Sequence, residues 1–268
     1  MIIDKIASFI IKDLKIELSY KLSFILRLLG ICVSLLVWYF LARWIGQGIL
    51  AHSNFRYDYF AFVLIGIAST EFQNSGLKGF SEKLRQNQVT GTLEALLVTP
   101  THPFLILWGN TLWEFFYSFL NSVVFIIIGV VLFGVKITIS SIGSVFIALL
   151  LSYLAFSSLG VISSSFILLF KKGDPVNFAI AGFSTLLAGV YYPINILPEF
   201  LRVIANVMPV THFLKIMRGL LLDGTSMSEH VASYLYLLVF FIVLLPLSML
   251  VFSYSFKIAR RQGTLSHY

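Results

Sequence analysis

The sequence predicts an all-α integral membrane protein: six transmembrane helices, an N-terminal interfacial helix, and an outward-facing re-entrant helix pair before the last span. Three observations carry the prediction. Of the 268 residues, 58% are hydrophobic and only 12% charged, with a mean hydropathy of +0.92, whereas soluble domains run near ~25% charged. A chain this apolar has too little polar surface to face water, so lipid must be its solvent. The apolar residues also fall in long runs, and crossing the hydrocarbon core takes roughly 20 such residues as helix. Finally, prolines cut one apolar stretch, 193–224, into pieces too short to cross. The whole of 1–268 reads as a single transmembrane domain.

Taken in order, residues 1–21 interleave Asp4, Lys5, Lys12, Asp13, Lys15, Glu17 and Lys21 with Ile6, Phe9, Ile10, Leu14, Ile16 and Leu18. That is the pattern of an amphipathic helix in the membrane interface. It is too mixed in charge for a cleavable leader, and no small-x-small cleavage site follows it. The first span covers about 22–45, with Arg27 and Arg43 near its ends, where they can snorkel. Trp38, Tyr39 and Trp44 form an aromatic belt at its far end. After a polar loop at 52–58, a second span runs over about 59–80 and contains Glu71. Residues 81–102 are polar, and more numerous than a turn between neighbouring spans requires.

The third span, about 103–133, and the fourth, about 142–170, flank a turn at 134–141. The charged sequence KKGDP at 171–175 breaks the chain before a short fifth run, about 176–192. Pro193, Pro198 and Pro209 then leave helical pieces of roughly 10–12 residues in 193–224, too short to span. Non-helical backbone at membrane depth is tolerated only where protein or a wet cavity covers it, so this stretch is expected to be re-entrant. The last span covers about 231–256 and ends in Lys257, Arg260 and Arg261.

Six spans put both termini on one side. With the N-terminus inside, cytoplasmic segments hold thirteen of the Lys and Arg residues and outer segments six. The positive-inside rule then places both termini, 81–102 and the Lys171-Lys172 turn in the cytoplasm of a multi-pass cell-membrane protein, and the broken pair outside. The same asymmetry accounts for the net charge of +7. Nucleic acid is excluded as its cause, because no soluble segment joins a basic cluster to aromatics. The single cysteine, Cys32, sits in an apolar run and reads as a packing residue. No inverted internal repeat of the kind common in secondary transporters is found.

The 81–102 segment carries the most functional information. Thr92 can cap a helix whose Leu93, Leu96 and Leu97 form an apolar stripe beside Glu94, and Thr99-Pro100 stops it. A short amphipathic helix on the cytoplasmic face is a docking surface for a partner protein, or else it rests on lipid headgroups. The dipeptide Gly-Lys occurs nowhere, so the chain has no phosphate-binding loop of the GxxxxGK[ST] kind.

Two sets of residues resemble a known family. Glu82-Lys83, Gly91-Thr92-Leu93-Glu94-Ala95-Leu96-Leu97 and Thr99-Pro100 are similar to the cytoplasmic loop of type-2 (ABC-2) ABC transporter permeases. Pro193, Leu197-Pro198, Pro209, His212 and Arg218-Gly219 resemble the segment those permeases carry before their last span. The stretch from Glu82 to Gly91 is slightly longer than that pattern. The resemblance covers essentially the whole chain and extends to prokaryotic drug, lipid and polysaccharide exporter permeases. It implies a homodimer or heterodimer of permeases bound to two cytoplasmic ATPase subunits. ATP and Mg would sit on those partners, with no cofactor on this chain. The 82–99 helix would be the coupling helix, with Glu82, Thr92, Leu93, Glu94, Leu97, Thr99 and Pro100 as its contact residues.

Residues at membrane depth supply further candidates. Glu71 and Glu114 are ionisable there, which is costly and marks functional candidates. Asn110, Glu114, Ser118 and Asn121 recur at helical spacing, so their face must meet protein or water. They read as a polar strip along a translocation path, as a proton-linked site, or as interhelical hydrogen bonding that fixes packing. Packing is the weightier reading for Glu114, and structural anchoring for Glu71. The fourth and fifth runs are rich in Gly, Ala and Ser, which permits close helix contact. For the fifth, the resemblance implies a place along the dimer seam, with Phe183 and Leu186 lining the path. His212, Lys215 and Arg218 read as reaching lipid headgroups or capping the broken helices, and Pro198, His212 and Arg218 are the candidates for an outer gate. No second ligand set near His212 suggests a metal.

The expected function is thus the transmembrane permease of an ATP-driven exporter for a drug, lipid or lipid-linked saccharide. The chain itself would not be an enzyme. An ion-coupled secondary transporter or channel using Glu71 and Glu114 is the alternative. An intramembrane enzyme is a third possibility, but no nucleophile–base pair or metal cluster stands out in the sequence.

Overall fold

The computed structural model describes residues 19, 21–50, 58–89, 91, 103–139, 141–170 and 174–261, and every regular element among them is a helix. The expected interfacial helix at 1–21 falls almost wholly outside the described residues. The long helices are α1 (Lys21–Leu50), α2 (Tyr59–Val89), α3 (Pro103–Phe133) and α4 (Ile142–Phe170). Then come α5 (Pro175–Leu187), α6 (Glu199–Val207), α7 (Pro209–Arg218), a π-turn (Gly219–Asp223) and α8 (Val231–Arg261). The third and fourth expected spans coincide with α3 and α4.

Among the described residues, four helical stretches are long and apolar enough to cross a membrane: Ile25–Ile45, Leu112–Phe133, Ile142–Phe170 and Met227–Ala259. The α6–α7 pair, bent by 85°, adds a fifth if it is counted as one broken span. By length and composition the expected six are therefore not all evident. α2 is long enough, but its second half carries Glu71, Gln73, Asn74, Lys78, Glu82 and Lys83. Its apolar face is held by protein, with Tyr59 to Ala68, Phe72, Leu77 and Phe80 buried, while Glu71, Lys78 and Glu82 stay exposed. α5 has 13 residues and is too short by the same measure.

α4 is the central helix and packs most extensively against α8 and α2. Small residues allow this. A Cβ on Gly160 would lie 2.6 Å from the Leu77 carbonyl oxygen, and one on Gly76 would lie 2.9 Å from Phe156 Cβ. Four of the buried α4 serines need no partner outside the helix. Ser152, Ser158, Ser164 and Ser165 each donate to the carbonyl four residues back, at 2.6–3.0 Å. Each hydroxyl is thus satisfied within its own helix.

α2 and α3 run antiparallel in a register fixed by two contacts. Ser122 Oγ donates to Ala68 O at 3.5 Å, and Ser75 Oγ donates to Glu114 O at 3.4 Å. Phe125 therefore lies level with Ile67, Tyr117 and Ser118 with Glu71 and Asn74, and Glu114 with the more polar turns beyond.

Pro175 starts α5, and Asp174 caps it by accepting from Asn177 N. The helix stops short of the expected residue 192 because Gly189 turns the chain at φ +81°, a conformation that favours glycine. From there the chain lies beside the first turns of α2, where a Cβ on Gly66 would meet Val190 O at 2.3 Å. In the following segment Phe213 reaches deeper, 5.8 Å from the Phe72 ring, and Arg218 returns to Phe62. α8 begins at this same end, where Tyr234 Oη donates to Ser144 O near the start of α4. The prolines act as their positions suggest. Pro193 precedes a short 3₁₀ turn, Pro198 sits at the N-cap of α6, and Pro209 is the first residue of α7.

One expected boundary is corrected. The 82–99 segment is not a separate helix from its start: residues 82–89 continue α2 without interruption. No proline or glycine intervenes, and Phe80 and Leu84 pack with Val161, Leu168 and Phe252, so the helix gains buried contacts by continuing. Glu82 is thereby a residue of α2.

Candidate functional site

A polar cleft of about 730 Å³ lies among α1, α2 and α3. α2 supplies one wall with Glu71, Asn74, Ser75, Lys78, Glu82 and Lys83, one helical face at three- to four-residue spacing. From Glu71 to Gln86 is about 22 Å of helix. α1 contributes Arg27, Gly30, Ile31 and Ser34, and α3 contributes Glu114, Tyr117, Ser118, Asn121 and Phe125. The register of α2 and α3 grades the lining. Ile67 and Phe125 lie at one end, Glu71, Ser118 and Tyr117 in the middle, and Lys83 with Glu114 beyond.

The charges here are held in different ways. Lys83 Nζ lies 3.5 Å from Glu114 Oε1. The Arg27 guanidinium lies over the Tyr117 ring, 4.2 Å from its centroid, a cation–π contact. Arg27 and Glu71 are exposed to the cleft, and neither makes an ion pair with another described residue. Two polar atoms, Asn74 Oδ1 and Tyr117 Oη, are buried with no hydrogen-bond partner among the described residues.

The structure thus gathers the acids singled out in the sequence. Glu71, Glu114, Ser118 and Asn121 line one cleft, joined by Glu82. Asn110 lies on α3, its side chain outside the described set. Structural anchoring of Glu71 through a hydrogen bond is not seen among the described residues. Of the coupling residues, Thr92, Leu93, Glu94, Leu97, Thr99 and Pro100 all lie outside the described residues.

A second cleft, about 490 Å³, opens on the other side of α2 toward α5. Asn177 Nδ2 donates there to Leu77 O at 3.1 Å and Ser81 Oγ at 3.0 Å, and Asp174 accepts from Ser163 Oγ. Gln73 Nε2 donates to Ser184 Oγ at 2.9 Å, pinning α5 to α2 a second time. Phe183 and Leu186 point away from this seam and are 58% and 62% exposed.

In the outer segment, Arg218 holds three carbonyls: Gly189 O at 2.8 Å, Val190 O at 2.9 Å and Phe62 O at 3.2 Å. Its guanidinium also lies 3.4 Å from the Phe62 ring centroid. His212 contacts Asn206 O at 2.9 Å and Ser233 Oγ at 3.3 Å and stacks on Tyr236. Lys215 Nζ donates to Asn206 Oδ1 at 3.1 Å. His212 and Lys215 thus cap the end of α6, while Pro198 is exposed at its start.

Sequence reasoning missed Arg27, Lys78 and Tyr117 as cleft residues, and missed the Asp174–Asn177–Ser81 network. Only the spacing of 71, 75, 78, 82 and 86 along one helical face signalled the α2 wall. Asn177 gave no periodic signal, because its partners lie about a hundred residues away.

A comparison with curated proteins yields no match. The family described as ABC-2 type transporter matches residues 60–222, more than half of the chain, from the first turn of α2 to the π-turn. That span takes in the α2 and α3 walls of the cleft, the α5 pins and the Arg218 clamp, so the chain belongs to the ABC-2 type transporter family and is a multi-pass membrane component of a transporter.

Proposed function

We propose that this chain is the permease subunit of an ATP-driven exporter that moves a hydrophobic or amphiphilic substrate out of the cytoplasm. One observation carries the reading. A polar cleft with charged walls lies among helices of an ABC-2 type transporter, and at membrane depth such groups are kept only where they serve a path or a partner. ABC-2 permeases normally work with ABC ATPases, and the engine here is a separate pair of cytoplasmic ATPase subunits. Two permease copies form the transporter, with the exposed Phe183 and Leu186 of α5 facing the route between them.

Six helices cross the membrane in this reading: α1 to α5 and α8. Contacts support it for the less apolar two. α2 runs antiparallel to α3 along its length, and α5 starts beside Leu77 and Ser81 and ends beside Phe62. The α6–α7 pair is re-entrant from the outer side, since the chain enters and leaves near Phe62 while Phe213 reaches Phe72. Both termini, the far end of α2 and the rest of the 82–99 coupling segment are cytoplasmic in this reading. ATP binding closes the ATPases, 92–99 moves with them, and the continuous α2 carries that motion to the cleft walls.

The test is co-purification of the chain with candidate cytoplasmic ABC ATPases. Wild type is expected to retain them and Glu94→Arg to lose them. Transport by the lone chain in liposomes without ATP would instead support an ion-coupled carrier built on Glu71 and Glu114.

A further inference from the structure

We infer that the cleft among α1, α2 and α3 binds the zwitterionic headgroup of a phospholipid, its primary ammonium against Glu71 and Asn74 and its phosphate against Arg27 and Tyr117. The inference deepens the transport reading, on which the cleft's place in a substrate route rests.

The argument begins with what the cleft leaves unsatisfied. Glu71 and Arg27 both line it, yet neither is paired with the other or with another described residue. Charges at membrane depth are costly unless something neutralises them. The α2–α3 register and the stacking of Arg27 on Tyr117 place these opposite charges on the lining of one cleft. A ligand bearing both signs on adjacent groups satisfies the two together, whereas a simple anion or cation satisfies one and leaves the other exposed.

The uncharged partners sort the same way. Asn74 Oδ1 is a buried acceptor without a donor, one turn along α2 from Glu71. Tyr117 Oη is a buried hydroxyl without a partner, in the ring beneath Arg27. An acceptor therefore accompanies the carboxylate and a hydroxyl donor accompanies the guanidinium. A primary ammonium, with three N–H donors, can use the carboxylate and the amide oxygen at once. A quaternary ammonium has no N–H and leaves Asn74 Oδ1 orphaned, at the cost of an unmade buried hydrogen bond.

The lining also fits an amphiphile. Beyond Glu71 the lining turns to Ile31, Ile67 and Phe125, with Ser34 and Asn121 as the polar residues among them. The neighbouring outer face of α1 exposes Leu26, Leu29 and Val33. Polar lining thus gives way to more apolar lining and then to lipid-facing helix, as a headgroup gives way to acyl chains.

The experiment uses the whole chain in nonionic detergent, without ATPase or nucleotide, titrated with short-chain phospholipids and read by native mass spectrometry. Phosphatidylethanolamine is expected to bind about tenfold more tightly than phosphatidylcholine or phosphatidylglycerol. Glu71→Gln should erase its advantage over phosphatidylglycerol, and Tyr117→Phe should weaken all three lipids. Free phosphoethanolamine should compete at least about tenfold more weakly than the lipid. Equal binding of the three lipids by the wild-type chain overturns the inference without recourse to any variant. So does an unchanged preference in Glu71→Gln, or equal competition by free phosphoethanolamine. Because no ATPase is present, failure here leaves the exporter reading standing, and failure of ATPase co-purification leaves this result untouched.

Discussion

Arg218 shows how one side chain fixes the outer end of the molecule. Its planar fork donates to Gly189 and Val190, whose carbonyls lie past the end of α5, and to Phe62 on α2. Arg218→Ala leaves those carbonyls short of donors and is expected to cost about 2–3 kcal/mol. Arg218→Lys should recover only part of that, since an ammonium cannot reproduce the fork. Thermal unfolding in detergent measures both. Asn177 plays the matching role at the other end of α5. Asn177→Leu keeps the bulk but removes the bonds to Leu77 O and Ser81 Oγ, for an expected loss of about 1–3 kcal/mol by the same measurement.

Between elements, closeness of approach matters more than hydrophobicity. α2 and α4 cross where Gly160 faces the backbone of Gly76 and Leu77. Gly160→Ala sets a methyl against carbonyl oxygens that cannot rotate away, so the helices must separate, at an expected cost of at least about 2 kcal/mol. Ser164→Ala, one turn on, should cost less than about 1 kcal/mol, because its hydroxyl bonds only to Gly160 O of its own helix. Comparing the two unfolding midpoints separates crowding at the crossing from loss of a polar group. The α6–α7 break belongs to this scale as well. Met208 between them is extended, with φ −78° and ψ +130°, and α7 buries Val210, Phe213, Leu214, Ile216 and Met217. Packing of that face, together with the Thr211 Oγ1 bond to Ala205 O at 2.6 Å, holds the 85° bend.

For the whole molecule, the unbroken α2 has a mechanical consequence. A helix that runs from Phe62, beside the outer segment, through the cleft wall to Val89 transmits displacement along its length. Phe183→Ala with Leu186→Ala removes apolar surface that is largely exposed among the described residues. The pair is expected to leave the unfolding midpoint of the lone chain unchanged while altering the rate or selectivity of ATP-dependent transport in proteoliposomes.

The sequence by itself determined the solvent, the helical class and the family. Composition leaves no alternative to lipid, and the limits of α3 and α4 follow from apolar runs that end in glycine, lysine or proline. The prolines at 193, 198 and 209 likewise announce where helix must stop, because proline lacks the N–H donor that continuing helix needs. The periodicity of Glu114, Ser118 and Asn121 also made a polar face visible. What that face meets was decided only in three dimensions. Helical spacing says which residues share a side of one helix, but not which helix turns toward it or in what register. Arg27 therefore joins Glu71 and Tyr117 only through packing, and α2 runs on through Glu82 because Phe80 and Leu84 find buried partners on α4 and α8. Local pattern sets where helices begin and end, and tertiary packing sets which side chains share a site, since that depends on contacts between residues far apart in the chain.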